Sequence, residues 1–284
     1  VIHELWMGND ASLMILPGSI PLDVPNVRDE LTRHLSEGWN AIVDREVDGR
    51  NSIPYQKDQS IPRYGSRLAS RRVARAIMLG SAPTVRDQNV RGIESSRIRL
   101  GVIQPGEVIA NFNDALTTLH SSLAYLYSDS SGNRFWYDTR PTLRKTVEDR
   151  ATQLTVSDVE YEIENRLHRI RNVQPFSGIH ICPSSSLDVP DEQTARLVIL
   201  KPSDEYKASN KLNNAIIAVE DILNNRGNSP RIFRNMLAFV APDQDLIVSL
   251  KQEVRRYLAW SSIKNDSEVL NLDATQNRET ENNL

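Results

Sequence analysis

The residues with the most chemical potential here are arginines spaced along one segment, Arg67-Leu-Ala-Ser-Arg71-Arg72-Val-Ala-Arg75. On a helix, positions 71 and 75 lie one turn apart, so their guanidiniums project together as a fork able to grip a phosphate or a carboxylate. Three readings compete: a solvated face paired with acids of the same protein, a contact to a nucleic-acid backbone, and an arginine facing a nucleotide held by another domain. A steep loss of affinity with salt would mark the second. The run Arg134-Phe-Trp-Tyr137 is another candidate, because it sets cation and aromatic groups on a hairpin, which suits a groove or a stacked base. Strand alternation offers it a plainer role, with Phe135 and Tyr137 on one face, Arg134 and Trp136 on the other, and one pair building core. The candidate contacts to nucleic acid or nucleotide phosphate are therefore Arg67, Arg71, Arg72, Arg75, Arg134 and Tyr137.

Other chemistries find little support. No glycine is followed by lysine and there is no Gly-x-Gly-x-x-Gly, so neither phosphate-cradling glycine loop can form, and hydrolysis of ATP by a P-loop is not expected of this chain. The five histidines are scattered and Cys182 is the single cysteine. His180 and Cys182 would share a strand face, where a buried imidazole and thiol explain the pair better than a metal does. The acidic pairs Asp44 with Asp48, Glu148 with Asp149 and Asp188 with Asp191 read as exposed carboxylates rather than a Mg²⁺ cluster. Neither a catalytic residue nor a metal ligand is assigned. An unfamiliar α/β site around Pro183-Ser-Ser-Ser186 and Asp243 stays as a minor reading.

A length of 284 residues with 39% hydrophobic and 25% charged side chains describes a globular chain of about two domains. Its apolar runs are far shorter than the ~18 residues of a membrane span. One cysteine fits a reducing compartment, and the expectation is a cytoplasmic protein. The net charge of −3 hides an uneven distribution. Nine arginines face only Asp87 and Glu94 between Arg63 and Arg99, whereas five acids face Arg278 alone after Lys264, which prompts a search for an anionic partner of the basic segment. The start at Val1, in what reads as a helix already under way, suggests an internal piece of a larger protein.

These residues need elements to position them. Trp39 to Asp44 reads as a strand, and Asp48 to Pro62, rich in Gly, Asn, Pro and Ser, as a loop. From Ser66 a helix is expected with Leu68, Val73, Ala76 and Ile77 inward, stopped at Gly80 and kept from continuing by Pro83. Asn113 can cap a helix carrying Leu116, Leu119 and Leu123. A hairpin of residues 124–127 and 134–137 follows, then a helix opened by Thr139 and Pro141. Helix, hairpin, helix is the order of a winged-helix unit. A bridging helix over 157–171 leads to strands at Gly178 to Cys182, Arg196 to Leu200 and Met236 to Ala241, alternating with helices near 208–225 and 243–262. The expected fold class is α/β, with a mixed α+β, winged-helix-like first half and a Rossmann-like second half. The expected domains are 1–155, 156–265 and a polar, flexible tail over 266–284.

Four runs carry a family resemblance: residues 12–23 (SLMILPGSIPLD), 70–83 (SRRVARAIMLGSAP), 97–107 (RIRLGVIQPGE) and 234–243 (RNMLAFVAPD). They resemble the domain-of-unknown-function 499 family, large AAA+-like ATPases of bacterial and archaeal anti-phage gene clusters, and the likeness runs from Val1 to about Gln276. The resemblance implies the region downstream of a P-loop core, with ATP and Mg²⁺ bound in the parent protein and no cofactor in this chain. It further implies an accessory role, coupling nucleotide state to double-stranded DNA, to other defence-system proteins or to the upstream ATPase domain. The rival expectation is a non-enzymatic interaction scaffold.

Overall fold

An apolar stripe at three- and four-residue spacing makes residues 69–80 a helix, and Ala69, Val73, Ala76 and Ile77 along it are almost wholly buried. The structure, a computed structural model, describes residues 1–7, 12–81, 91–171, 174–210 and 213–284; Pro83 and Asp87 lie outside them. It is a mixed α/β fold whose contacts divide into two units, Val1–Thr146 and Val147–Leu284. The division falls inside the helix Leu143–Gln153.

In the first unit, short helices α1 (Ile2–Met7), α2 (Pro25–Thr32), α3 (Trp39–Ile42), α4 (Ile53–Ser60) and α5 (Pro62–Gly65) precede the arginine helix α6 (Ala69–Gly80). Then come β1 (Ile93–Glu94), α7 (Ser95–Val102), α8 (Ile109–Ser122), β2 (Leu126–Ser128) and β3 (Arg134–Tyr137), with α9 (Leu143–Gln153) after them. The strands form an antiparallel sheet in the order β1-β3-β2, with Leu126 opposite Tyr137 and Ile93 opposite Phe135. The order here is a strand, two helices and a hairpin whose second strand pairs back onto the first. The core joins Ile77 on α6, Ile98 on α7, Phe112 and Leu119 on α8, and Phe135 and Tyr137 on β3.

Three expectations are corrected. Residues 39–44 are not a strand: α3 runs into a π-helical turn, Val43–Asp48. Trp39, Ile42, Val43 and Val47 repeat at three and four residues and are all buried, a helical period that a short apolar run does not declare. The stretch 48–62 is no open loop either, because Ser52 accepts the Tyr55 amide at 3.3 Å and Pro54 sits in the first turn of α4. Proline there starts a helix instead of breaking one. Lastly, α8 begins at Ile109, four residues before Asn113, directly after the Pro105-Gly106 turn.

In the second unit, the end of α9 is followed by α10 (Val156–Leu167), started by a Thr155/Asp158 capping box. Strands β4 (Gly178–Ile181), β5 (Arg196–Ile199) and, later, β8 (Leu237–Val240) are parallel in the order β4-β5-β8. Between β5 and β8 lie α11 (Asn214–Asn224) and a small hairpin of β6 (Asn225–Arg226) and β7 (Ser229–Pro230). The crossover from β4 to β5 holds a 3₁₀ turn, Ser186–Asp188, in place of an α-helix. Ala215 and Ile222 of α11 pack on Val198 and Leu200. Asp243 caps α12 (Gln244–Asn265), which packs Ile247 and Val254 against Val159 and Ile163 of α10. Residues beyond 265 form α13 (Ala274–Asn282), begun by an Asp273/Gln276 capping box and burying Thr280. No helix among the described residues is long and apolar enough to cross a membrane.

Candidate functional site

Helix α6 starts without a side-chain cap of its own. Leu68, which precedes it, is in the left-handed region at φ 51°, a conformation that costs a bulky side chain strain. The cap comes from α4, where the Asp58 carboxylate accepts the amides of Ser70 (2.9 Å) and Arg71 (3.2 Å). Burial pushes the Asp58 carboxyl up, and those two backbone bonds pull it back.

The fork formed by Arg71 and Arg75 holds a carboxylate of its own chain. Arg71 Nε donates to Asp48 Oδ1 and Arg75 Nε to Asp48 Oδ2, both at 2.7 Å. The Asp23 amide adds a third bond to Asp48, at 2.9 Å. The Asp23 carboxylate lies 3.0 Å from Arg71 and 3.3 Å from Arg75. Asp48 is fully buried; burial raises its carboxyl above the ordinary aspartate value against the pull of Arg75 and Arg71. Burial also works against the Arg71 charge, but Asp48 and Asp23 outweigh it and hold the guanidinium above its usual value. The expectation that Asp48 is an exposed carboxylate is thus corrected.

Arg72 turns to the other side of α6. It donates to both Glu107 oxygens (2.8 and 3.1 Å) and to the Val102 carbonyl, and its guanidinium lies 5.1 Å from the centre of the Phe112 ring. Glu107 is aimed by the turn Gln104-Pro105-Gly106-Glu107, closed by a Glu107 N–H to Gln104 carbonyl bond of 3.1 Å. Proline second and glycine third at φ 85° are what a type II turn requires. The Gln104 amide N–H in turn donates to Glu107 at 2.8 Å. Arg67 lies outside the helix, with its side chain 65% exposed and 3.9 Å from Glu107.

The segment Pro17–Ser19 lies against α6 and α7, and Gly18 fits because a Cβ there would meet the Arg72 carbonyl at 3.0 Å and the Gly101 carbonyl at 3.1 Å. Gly18, Ser19, Arg67, Leu68, Arg72 and the 104–107 turn line a concavity of about 320 Å³. Three of the four runs behind the family resemblance meet there.

The hairpin candidates belong to a different environment. Arg134 pairs with Glu94 and donates to the Gly92 carbonyl at 3.0 Å. Trp136 stacks on Tyr127 with centroids 5.8 Å apart. Tyr137 is buried, its hydroxyl donates to the Glu46 carbonyl at 3.2 Å, and burial holds its pKa well above the ordinary phenol value. Phe135 and Tyr137 are the pair that builds core. Sequence reasoning missed the π-helical turn 43–48, which serves both sets of residues: Asp48 holds the arginines, and the Glu46 carboxylate accepts the amides of Ala124 (2.8 Å) and Tyr125 (3.3 Å) at the foot of the hairpin.

In the second unit, His180 Nε2 lies 3.2 Å from Arg196, and burial lowers its pKa. Cys182 is buried, at φ 49°, with its thiol pushed up to about 11 by burial, far from the thiolate a nucleophile needs. Asp188, Ser186 and Asp243, at the ends of parallel strands, are engaged in backbone capping. Asp188 accepts the amides of Ser184 and Ser185, Ser186 accepts that of Gly227, and Asp243 accepts those of Asp245 and Leu246. Asp191 likewise accepts the amides of Ile232 and Phe233.

Compared with known proteins, the chain matches no family model, no curated protein and no solved structure.

Proposed function

We propose that this chain is a non-catalytic, protein-engaging module that couples a larger AAA+-like ATPase of the cytoplasm to protein partners, and that duplex DNA is not its ligand. The ATPase, with its ATP and Mg²⁺, enters through the family resemblance alone. The preference for protein over DNA rests on one observation: the arginine helix is neutralised inside its own fold, with Arg71 and Arg75 on Asp48 and Asp23 and Arg72 on Glu107. The helix-turn-helix formed by α7 and α8, with the hairpin after it, agrees with it. Helix α8 and the 129–133 turn of the hairpin contain Asp114 and Asp129 and no lysine or arginine. Exposed cations in the helix-turn-helix are Arg97 and Arg99 on α7, fewer than the roughly 6–10 phosphate contacts that typical duplex binding uses. The same helix-turn-helix exposes apolar Leu100, Val108 and Ile109, side chains that a protein partner can cover.

Titration of a fluorescent 25-base-pair duplex at ~50 mM salt tests this reading, with no saturable anisotropy change expected. Micromolar binding that weakens steeply with salt and is lost in an Arg97→Ala/Arg99→Ala variant would replace it with a DNA-coupling role.

A further inference from the structure

We infer that the free edge of β8 is a self-association surface, on which a second copy of this chain pairs its own β8 antiparallel, joining two three-stranded sheets across a two-fold axis. β8 is the last strand in the order β4-β5-β8. The N–H of Leu200 donates to the Val240 carbonyl and that of Tyr206 to the Pro242 carbonyl, both at 2.9 Å, so the even-numbered residues of this run turn their backbone groups toward β5 and the segment after it. The amides and carbonyls of Leu237, Phe239 and Ala241 therefore point the other way, and among the described residues none of them has a hydrogen-bond partner. A row of open backbone groups of this kind is a template for an added strand. At the opposite edge, β4 is followed by Cys182 at φ 49° and then Pro183, which turn the chain off the line of the sheet.

A second copy fits this edge because the run Arg234-Asn-Met-Leu-Ala-Phe-Val-Ala-Pro-Asp243 is complementary to itself when reversed. Centred on Phe239, antiparallel pairing matches each outward amide and carbonyl of 237, 239 and 241 with one from the partner. It sets Leu237 opposite the partner's Ala241 and Val240 opposite the partner's Ala238, a larger side chain against a small one at each step. Val240 is 50% exposed on a strand that is otherwise part-buried, and this pairing covers it. The ends are complementary in charge. Arg234 is exposed, donates to the Arg231 carbonyl at 3.2 Å and has no carboxylate beside it among the described residues. The far end carries Asp243, which caps α12, and Asp245, which pairs with Lys207 at 3.2 Å. Antiparallel pairing brings the basic start of one edge to the acidic end of the other, whereas parallel pairing would set like charges together. A two-fold contact of this kind closes at two copies. Because the edge strand has four residues, the interface is small and association weak, with a dissociation constant on the order of 10 µM. The inference concerns the second unit and does not rest on the protein-engaging role proposed above; either can fail without the other.

Sedimentation velocity of the full chain from about 1 to about 300 µM tests the inference. Expected is a monomer–dimer equilibrium with nothing larger than a dimer. Ala241→Pro deletes an outward amide that makes no bond among the described residues, and proline is tolerated where an edge amide faces solvent. It should weaken the dimer by about tenfold or more while leaving the melting temperature, read at ~1 µM, near that of the parent. Arg234→Glu sets like charges together at both ends and should weaken the dimer about threefold or more; it decides the matter alone should Ala241→Pro fold poorly. Leu100→Ser, on the exposed surface of the first unit, should dimerise as the parent does. The inference is overturned by a monomer throughout the range, by species larger than a dimer, by a dimer that folded Ala241→Pro or Arg234→Glu leaves intact, or by a dimer lost in Leu100→Ser.

Discussion

Replacing Asp48 by Asn removes one buried charge while keeping the side chain's shape, and it puts an NH₂ group against guanidiniums that can only donate. Two bonds of 2.7 Å are compromised. Removing one partner of a buried ion pair costs about 3–5 kcal/mol. Asp23 remains within 3.0 and 3.3 Å of the two arginines, which places the loss near the lower end, about 3 kcal/mol. For a unit of this size, roughly 3 °C is lost per kcal/mol, so the melting temperature of the first unit should fall by about 10 °C. A Trp260→Phe background confines the indoles to Trp6, Trp39 and Trp136, all in the first unit, and buried Trp39 then reports its unfolding. The triple variant Asp48→Leu/Arg71→Met/Arg75→Met should be less destabilised than Asp48→Asn alone, because it removes the buried charges together. A loss below about 1 kcal/mol in Asp48→Asn would refute the reasoning: the arginines would then be independent of Asp48 and the fork available to an outside anion.

Glu46 supplies a pH test. Its Oε2 accepts two amides, its Oε1 is buried with no partner among the described residues, and burial raises its pKa above the ordinary glutamate value. A raised acid favours the native state at low pH: the stability it contributes is complete below the unfolded value and lost as pH rises through the folded one. Urea midpoints at about pH 5 and about pH 8 should therefore show the parent gaining on Glu46→Gln at the lower pH, and parallel profiles would rule this out. Arg231, with a side chain that has no exposure, donates to the carbonyls of Ile222 (2.7 Å), Pro190 (2.9 Å) and Val189 (2.9 Å). Arg231→Met orphans these acceptors and should cost the second unit about 3 kcal/mol or more, seen as an earlier Trp260 transition with the first unit's unchanged. In Gly18→Ala the new methyl meets two backbone oxygens at 3.0 and 3.1 Å, and a loss of about 1–3 kcal/mol in chemical denaturation is expected; an unchanged midpoint would mean that Pro17–Ser19 shifts freely.

Much of this architecture could be read from spacing. The apolar stripe of α6, the leucines of α8, the aromatic hairpin and the β-branched run of β5 each repeat at the period of the element they form. The fork of Arg71 and Arg75 was legible too, because it depends only on helical geometry. What the fork grips was not, since Asp48 and Asp23 lie far back along the chain and only tertiary packing brings them in. Residues 39–48 were misread for a related reason. Trp39, Ile42, Val43 and Val47 can serve a strand or a helix locally, and the partners of the polar residues between and after them, Ala124 and Tyr125 for Glu46 and Arg71 and Arg75 for Asp48, lie far along the chain. The second unit's loop carboxylates looked free because an acid's role as a backbone cap depends on where the chain turns.

The borrowed cap of α6 bears on the order of assembly. A helix whose first amides are satisfied by its own N-cap residue can form before anything docks on it. In α6 the acceptor is Asp58, carried by a separate helix, so the arginine helix completes its first turn only once α4 is seated. Amide exchange at Ser70 and Arg71 therefore measures whether α4 is in place, and a disturbance of α4 reaches the wall of the concavity through that carboxylate.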